Sequence, residues 1–468
     1  MTTLIRTARL ATIVAILLAL CPSRVAAQDS DRRGAERGEA PVAQDDRLFA
    51  IIDSVSASRI ESDIRALAGF GTRSTLSDTA STTRGIGAAR RWIKEEFERI
   101  SAACGACLEV RYQRTMVLAA ENRRIPADVE VVNVIAILRG ETHPDSYVIM
   151  SGDIDSRPSD GSDGTSDSPG ANDNASGMAG VIEAARVLSQ YRFGHTLVFA
   201  GLSGEEQGLF GGAHMAEEAR TAGWHIVAAL NNDMIGNIEG LDGVIDNTTF
   251  RVFSEPVTPF DADAMRNVRF FGGEVDGTSR QIARYVDRLV DRYFTNLDAM
   301  MIYRLDRFGR GGHHRPFNDV GFPGVRIMEA HENYTRQHQD IRVEDGIEYG
   351  DVISGVNFGY AAKLTGVNAI TMASLAWAPP APVDVRIGGA VRPSTRLAWT
   401  KVDDPGVIGY IVHWRPTTEA QWTNARFVGD VDQFTFENVV IDNYLFGVSS
   451  VNAGGHQSPV VFPGGTIR

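Results

Sequence analysis

The sequence predicts an α/β fold with helices on both faces of a mainly parallel mixed sheet, followed by an all-β sandwich. Three apolar runs, Tyr147 to Gly152, Thr196 to Leu202 and Ile226 to Leu230, indicate buried strands. A segment with helical periodicity, Gly177 to Leu188, lies between the first two runs. This alternation favours parallel strands joined by helices. From residue 383 onward the pattern changes to short alternating strands separated by turns, which predicts the sandwich.

Length and charge limit the classes of protein that this chain can belong to. At 468 residues with 43% hydrophobic residues, the chain is long enough for two or three domains with full cores. Its net charge of -13 disfavours nucleic acid or an anionic membrane as a partner.

The N-terminal residues predict export. Residues 1–27 contain the basic residues Arg6 and Arg9, the apolar run Leu10 to Leu20, and a small-residue cleavage site. The apolar run is too short to span a bilayer. We therefore expect a signal peptide and a secreted or periplasmic protein. A lipid anchor at Cys21 is the weaker alternative, because the neighbouring residues fit poorly around a lipidated cysteine.

Two cysteines remain after cleavage, Cys104 and Cys107. In an exported protein this spacing favours a small disulfide over a zinc clip or a redox site. Two cysteines alone do not complete a structural zinc site.

Composition predicts the domain boundaries. Residues 28–48 are polar and without periodicity, which indicates a flexible leader. Residues 49–372 form the α/β domain, and residues 373–382 form a stiff, proline-rich linker. Residues 383–468 form a self-contained β-sandwich module. Two motifs in it, Gly409 to Trp414 and Asp442 to Val448, resemble a fibronectin type III domain.

Periodicity predicts further elements of the α/β domain. The predicted helices are Val55 to Phe70, Ile86 to Ile100, Ser279 to Tyr293 and Val352 to Leu364. The β-branched run Val129 to Leu138 indicates a strand, which we expect to pair antiparallel with Tyr147 to Met150.

Acidic residues follow the strand-like runs of the α/β domain. They are Asp153, Asp155, Asp173, Glu205, Glu206 and Asp233. Ligands of open α/β sheets bind beyond the carboxyl ends of the strands, so these side chains should gather at one edge. Clustered carboxylates require a cation, which predicts a metal site.

The types of residue suit a two-metal hydrolase, which needs a bridging carboxylate, terminal ligands and a base for the shared water. Asp173 lies in a glycine-flanked loop and suits the bridge. Glu205 and Glu206 are adjacent, so one can bind metal while the other faces the water. Asp233 is the third carboxylate, and a histidine is still needed, since imidazole suits zinc.

Four motifs in order extend this interpretation. Ser151 to Ser156, Gly170 to Gly177, Gly204 to Gly211 and Asn232 to Gly236 resemble the zinc-dependent exopeptidase family of the bacterial leucyl aminopeptidases. Plasma glutamate carboxypeptidase and glutaminyl cyclase are relatives in that family. The resemblance covers roughly Arg59 to Leu364 and implies the zinc exopeptidase fold.

The resemblance implies a role for each matching residue. Asp173 matches the bridging ligand, Glu205 the general base and Glu206 a terminal ligand of the first metal. Asp233 matches a terminal ligand of the second metal, and His338 matches the family's last histidine ligand.

One position departs from the family. Asp153 stands where the family has a histidine ligand of the second metal, and Asp155 matches the residue that steadies this histidine. Asp155 therefore binds metal, pairs with a basic residue, or belongs to a site with a weak second ion. An oxygen-rich second site should accept manganese or cobalt as well as zinc.

The sequence thus predicts an exported two-metal exopeptidase that hydrolyses peptides. Among exopeptidase activities, it favours that of an aminopeptidase. The alternatives are a one-zinc enzyme similar to glutaminyl cyclase and an inactive binding protein on the same fold. A basic, glycine-rich loop supplies Arg310, His313 and His314 as candidates for the substrate pocket. We expect the C-terminal module to contact a surface or polymer, or to act as a spacer.

Overall fold

The computed structural model describes residues 40–257 and 262–467. The predicted signal peptide and most of the predicted leader lie outside the described residues. The last residues of the predicted leader, 46–48, are helical. Helix α1 begins at Asp46, because the side chain of Asp45 caps it by accepting a hydrogen bond from the Arg47 amide.

In the described residues, helices and strands alternate from Asp46 to Trp377, and strands with one short 3-10 turn, Ile441–Asn443, follow. The α-helices of the described residues are α1 (Asp46–Ser54), α2 (Ala57–Ala68), α3 (Gly85–Ala103), α4 (Ala175–Leu188), α5 (Glu205–Gly208), α6 (Phe210–Thr221), α7 (Ala262–Phe270), α8 (Thr278–Tyr293), α9 (His314–Asp319) and α10 (Phe358–Trp377). The strands are β1 (Leu108–Val117), β2 (Val129–Leu138), β3 (His143–Asp153), β4 (His195–Leu202), β5 (His225–Asn232), β6 (Thr249–Ser254), β7 (Asp298–Ile302), β8 (Gly324–Glu329), β9 (Arg342–Glu344), β10 (Ile347–Tyr349), β11 (Val383–Gly388), β12 (Thr395–Thr400), β13 (Gly409–Pro416), β14 (Asn424–Gly429), β15 (Gln433–Phe436), β16 (Tyr444–Val451) and β17 (Gly465–Thr466).

An eight-stranded mixed sheet, in the order β1-β2-β4-β3-β5-β8-β6-β7, confirms the predicted fold class. Strands β4, β3, β5 and β8 run parallel at its centre. The expected antiparallel pairing of Tyr147 to Met150 with Val129 to Leu138 is wrong. Strand β4 lies between β2 and β3, because all of its residues are buried and it needs a partner on each edge.

Side chains of the central strands alternate between two cores, one on each face of the sheet. In β3, Val148 and Met150 pack into the larger core, which contains residues of α1 to α4, α8 and α10. Tyr147 and Ile149 face the other way and pack with residues of α6 and α9. The helices therefore cover both faces, as predicted, and leave the carboxyl ends of the parallel strands at one edge.

The turn between α3 and β1 is closed by a disulfide. Cys104 follows the last residue of α3, and Cys107 precedes the first residue of β1. The two sulfur atoms are bonded, so the predicted disulfide is confirmed.

The C-terminal residues form two sheets that share one core. A four-stranded sheet in the order β15-β12-β11-β17 faces a three-stranded sheet in the order β14-β13-β16. Leu397, Trp399, Tyr410, Val412 and Phe446 belong to the core between them. This arrangement confirms the predicted all-β architecture.

Helix α10 continues five residues into the range predicted as a linker, because its apolar residues remain helical until Trp377 and prolines follow only at 379. Almost all of the residues in its last three turns are buried. Among the described residues, none of the helices combines the length and hydropathy of a bilayer-spanning segment.

The β-sandwich packs firmly on the α/β domain. Arg415 of β13 forms a buried ion pair with Asp276, with an Nη2–Oδ2 distance of 2.8 Å. Asp276 also accepts a hydrogen bond from Arg284 of α8, at 2.5 Å. Nearby, the Trp422 indole donates to the Gln281 side chain at 2.9 Å. The module is therefore not the independent appendage that the sequence predicts.

Candidate metal centre and catalytic cleft

The carboxyl edge of the parallel strands collects the predicted acidic residues. Strand β3 ends at Asp153, and β5 ends one residue before Asp233. Strand β4 is followed by α5, which begins with Glu205 and Glu206. The loop that carries Asp173 leads into α4 at the same edge. The sheet topology thus brings together side chains that are up to 80 positions apart in the sequence.

Three of the predicted ligands converge on one point. His338 Nε2 lies 3.0 Å from Asp173 Oδ2 and 3.1 Å from Glu206 Oε2. The donor atoms of Asp173, Glu206 and His338 all lie within 4.8 Å of one another. We call these three residues the metal pocket. Two carboxylates and one imidazole form a ligand set that zinc accepts, with a fourth position open to water or substrate.

The metal pocket concentrates negative charge around the His338 imidazole. Burial lowers the pKa of His338, but the charge of Glu206 and the hydrogen bonds to Glu206 and Asp173 outweigh it and raise the pKa to about 10. Burial raises the pKa of Asp173, but the His338 hydrogen bond outweighs it and keeps this pKa below its ordinary value. A proton on His338 thus supplies the positive charge that a metal ion would supply.

A buried carboxylate that the sequence does not single out positions Asp173. The backbone amides of Asp173 and Asn172 donate to the two oxygens of Asp351, at 2.6 and 2.8 Å. On the other side of the loop, the fully buried Arg73 donates to the Gly170 carbonyl at 2.9 Å. Asp351 and Arg73 lie far from the loop in sequence, and no motif marks them.

Asp155 holds the backbone of the glutamate pair. The amides of Glu205 and Glu206 donate to its Oδ1 and Oδ2, each at 3.2 Å. The Thr75 hydroxyl donates to Asp155 Oδ2 at 3.1 Å. Asp155 therefore does not steady a histidine ligand, as its family counterpart would. It fixes the peptide from which Glu205 and Glu206 diverge.

Glu205 lines the cleft beside the metal pocket without belonging to it. Burial, followed by the charge of Glu206, raises the pKa of Glu205 well above its ordinary value. A carboxylate with a raised pKa is a stronger base, which suits a group that accepts a proton and later returns it.

Two residues predicted to bind the second ion together with Asp173 are in contact with other side chains of the protein. Asp153 is buried, and its oxygens pair with His313 Nδ1 at 2.5 Å and with Asn174 Nδ2 at 2.6 Å. Asp233 Oδ2 lies 2.8 Å from Nη2 of Arg326, a fully buried arginine. Both carboxylates thus have partners among the side chains of the protein, and only Arg326 brings a fixed positive charge, because burial lowers the pKa of His313 to about 4. No motif in the sequence marks Arg326.

The predicted substrate-pocket residues separate. Arg310 lines the cleft, but His313 and His314 are fully buried and lie behind it. The glycine-rich loop turns inward at His313 and begins α9, which places His314 Nε2 at 2.7 Å from the Leu305 carbonyl. These two histidines therefore do not line the cleft.

The cleft above the site has a volume of about 810 Å³ and an open mouth. Its arginines are Arg124, Arg157, Arg307, Arg310 and Arg315. Apart from acids at the base of the cleft, the acidic residues lining it are Glu217 and Asp319. The walls of the cleft are therefore basic, although the protein as a whole is acidic.

Comparison with known proteins identifies the family. Residues 133–345 match the model of Peptidase family M28. The chain is 40% identical over 423 residues to a probable zinc metalloprotease of Leptosphaeria maculans, covering 90% of this chain and 97% of the relative. The chain belongs to peptidase family M28. A probable zinc metalloprotease of Pyricularia oryzae is also 40% identical, over 89% of this chain and 84% of its own.

A solved structure supports the fold of this M28 protein. The LapA aminopeptidase of Legionella pneumophila superposes with a TM-score of 0.51 at 17% identity, covering 74% of this chain and 79% of that one. Family membership and the ligand set of the metal pocket together make the protein a zinc metallopeptidase, with peptides as its substrates.

Proposed function

We propose that this protein is an exported zinc exopeptidase that removes N-terminal residues from peptides. The observation that carries the proposal is the convergence of Asp173, Glu206 and His338 within 4.8 Å, next to Glu205, in an open cleft. The carboxylates and the imidazole would bind zinc. Glu205 is not one of these ligands, so it could act as a general base.

Bound zinc supplies a Lewis acid that polarises the scissile carbonyl and lowers the pKa of a water molecule. Glu205 would act as the general base that accepts a proton from the attacking water and as the acid that returns it to the leaving amine. Asp155 keeps Glu205 in position through the backbone amide, so the base does not drift into the metal pocket. Asp351 does the same for the Asp173 loop.

The basic walls of the cleft favour a second candidate, an enzyme that removes C-terminal residues. Arginines bind carboxylates through paired hydrogen bonds, and a free C-terminus or an acidic side chain offers such a carboxylate. Arg310 lies beside the metal pocket, where its Nη1 donates to Gln337 Oε1 at 3.2 Å. An aminopeptidase instead needs acidic groups for the free amine of its substrate.

The single metal pocket favours a third candidate, the cyclisation of N-terminal glutamine by one zinc. The same Asp173, Glu206 and His338 would hold that ion. An inactive binding protein is disfavoured, because Glu205 would then have no reason to line the cleft beside an intact ligand set.

A digest of defined peptides separates these candidates. The purified protein is incubated with one peptide in four forms: free at both ends, acetylated at its N-terminus, amidated at its C-terminus, and beginning with glutamine. Products are read by mass spectrometry, with and without a zinc chelator. The Glu205→Gln protein, purified in the same way, controls for contaminating peptidases.

Loss of cleavage on N-acetylation alone supports the aminopeptidase. Loss on C-amidation alone supports the carboxypeptidase, and a mass decrease of one ammonia on the glutamine peptide alone supports the cyclase. Equal cleavage of all four forms would contradict an exopeptidase. Turnover that a chelator leaves unchanged would contradict zinc dependence.

Export remains part of the proposal. The disulfide between Cys104 and Cys107 supports it, since disulfides persist in oxidising compartments. We also propose that the β-sandwich is a fibronectin type III-like module that contacts a surface or polymer. Fractionation of cells that express the full chain, with detection of the mature N-terminus, tests the proposed location.

A further inference from the structure

A buried arginine lies beside the residues predicted to hold a second metal ion. Arg326 is the third residue of β8, the strand next to β5, and none of its surface is exposed. Its Nη2 atom lies 2.8 Å from Asp233 Oδ2. We propose that the Arg326 guanidinium takes the place of the second metal ion, so that the protein holds one zinc per chain. This inference rests on the proposed zinc site.

The guanidinium is fixed from its other side. Nη1 of Arg326 lies 3.1 and 3.2 Å from the two oxygens of the buried Asp306 and donates to the Gly311 carbonyl at 2.8 Å. The backbone of Gly312 comes so close that an added Cβ would lie 3.2 Å from Nη1. The Arg326 guanidinium is therefore held between the carboxylates of Asp306 and Asp233, and the backbone of the glycine-rich loop packs against it.

The other predicted ligand is also engaged by the protein. Asp153 uses one oxygen for the His313 imidazole and the other for the Asn174 amide. Asn174 cannot turn away freely, because its Oδ1 caps α4 by accepting from the Gly177 amide at 3.0 Å. A metal ion at this position would compete with two hydrogen bonds of Asp153.

Charge explains why a second dication and Arg326 exclude each other. A guanidinium stays protonated at every pH that a protein survives, and here it is in contact with Asp233. A dication bound by Asp233 and Asp153 would face this fixed charge in a buried place, where repulsion is poorly screened. The metal pocket differs, because the group between its two carboxylates is an imidazole, which binds zinc in its neutral form.

Arg326 is a positioning residue in this arrangement. It has no exposed surface and does not line the cleft, so it does not touch the substrate. It neutralises Asp233 and acts electrostatically on Glu205. An ordinary structural role would leave the metal count unchanged, whereas the role proposed here sets that count.

Metal stoichiometry of the wild-type protein tests the inference directly. The protein is stripped with a chelator, reloaded with excess zinc, passed through gel filtration, and analysed for zinc per chain. One zinc, lost in His338→Ala and retained in Asp233→Ala, is the expected result. Two zinc ions per chain, one of them lost in Asp233→Ala, would overturn the inference. No bound zinc would overturn the proposed function itself.

Substitution of Arg326 gives a gain of binding. In Arg326→Ala the carboxylates of Asp153 and Asp233 lose their fixed cation, and the protein should hold a second zinc, manganese or cobalt ion. Arg326→Lys keeps the charge and is the matched control, with one ion expected. Adding Asp233→Ala to Arg326→Ala should return the count to one. A folded Arg326→Ala protein that holds only one ion would contradict the inference.

Cobalt loading keeps the inference testable if Arg326→Ala fails to fold. Two cobalt(II) ions that share the Asp173 carboxylate couple magnetically, whereas one ion does not. Wild-type protein saturated with cobalt should therefore give the electron paramagnetic resonance signal of an isolated high-spin ion. A coupled pair in the wild type would overturn the inference.

Discussion

The site has two halves, the metal pocket and the pair of Asp153 and Asp233. Both contain carboxylates, but different groups lie against those carboxylates. In the metal pocket, Asp173 and Glu206 meet a histidine that is a quarter exposed, and the donor atoms share one focus. In the other half, Asp153 and Asp233 are buried and pair with His313 and Arg326. The metal pocket is open to the cleft, whereas the other half has one cation, the Arg326 guanidinium, built into the chain.

This difference shows what makes a group of carboxylates a metal site. Proximity alone is not sufficient, because both halves bring acids together at the same sheet edge. The metal pocket has a displaceable proton and an opening to the cleft. The other half contains the Arg326 guanidinium, which does not lose its proton, and both Arg326 and Asp153 are buried.

The largest expected effect separates the two halves by zinc binding. His338→Ala removes the imidazole ligand, so it should lose zinc and nearly all peptidase activity, as should chelation of the wild type. Asp153→Ala should keep one zinc. Zinc analysis and turnover of the two variants measure the contrast. Equal zinc loss in both would mean that the halves form one binuclear site.

The next effect concerns the two adjacent glutamates. Glu205→Gln keeps the shape and removes the base, so turnover should fall by about a hundredfold or more while zinc is retained. Glu206→Gln should lower zinc affinity instead. Steady-state kinetics and zinc content of both proteins measure the effects. If only Glu205→Gln lost zinc, Glu205 would be the zinc ligand and Glu206 the general base.

A smaller effect is expected on substitution of Asp155, which positions Glu205 and Glu206 by accepting hydrogen bonds from their backbone amides. Asp155→Asn presents an amide to one of the two N–H groups of Glu205 and Glu206, so one hydrogen bond is lost. Residues that orient a metal site typically cost about 10- to 100-fold in affinity or activity when changed. Kinetics and zinc titration measure this, with Thr75→Val as a milder control that removes only the hydroxyl. Wild-type values for Asp155→Asn would contradict the role.

The smallest effect is a pH dependence of zinc binding in the metal pocket. Zinc must displace the proton of His338, whose pKa is about 10 in the metal-free protein. Zinc affinity should therefore rise about tenfold per pH unit between pH 7 and 9. The raised pKa also stabilises the metal-free fold below about pH 6.5, and this contribution disappears as the pH rises through 10.

Competition titrations with a chelator of known affinity measure the zinc part of this prediction. Melting temperatures of metal-free protein over the same pH range measure the other part, with zinc-loaded protein as the control. A zinc affinity independent of pH would mean that His338 is neutral before zinc binds.

The predicted acids were accessible from sequence because each follows a strand-like run. Asp153, Glu205 and Asp233 lie at or just beyond strand ends, and the parallel sheet brings them to one edge. His338 came only from the family resemblance, since it lies in a polar segment without periodicity.

Arg326 was not accessible in this way, although a signal existed. It stands inside an apolar strand, Gly324 to Met328, of a sheet covered on both faces. An arginine there is buried and requires acidic partners. The partners, Asp306 and Asp233, are 20 and 93 positions away, and only the fold shows that they meet. The order of β2, β4 and β3 was missed for a similar reason, because proximity in sequence favoured the wrong neighbour.

The buried pair of Asp276 and Arg415 has a consequence for how the chain melts. Cutting the chain near Ala376 would leave Asp276 without Arg415 and would uncover the last turns of α10. The α/β domain and the β-sandwich therefore stabilise each other, and they should unfold together on heating. Differential scanning calorimetry of the full chain should show a single endotherm, with no separate, earlier peak for the sandwich. The change in composition at residues 376–382 marks a change of architecture within one cooperative unit.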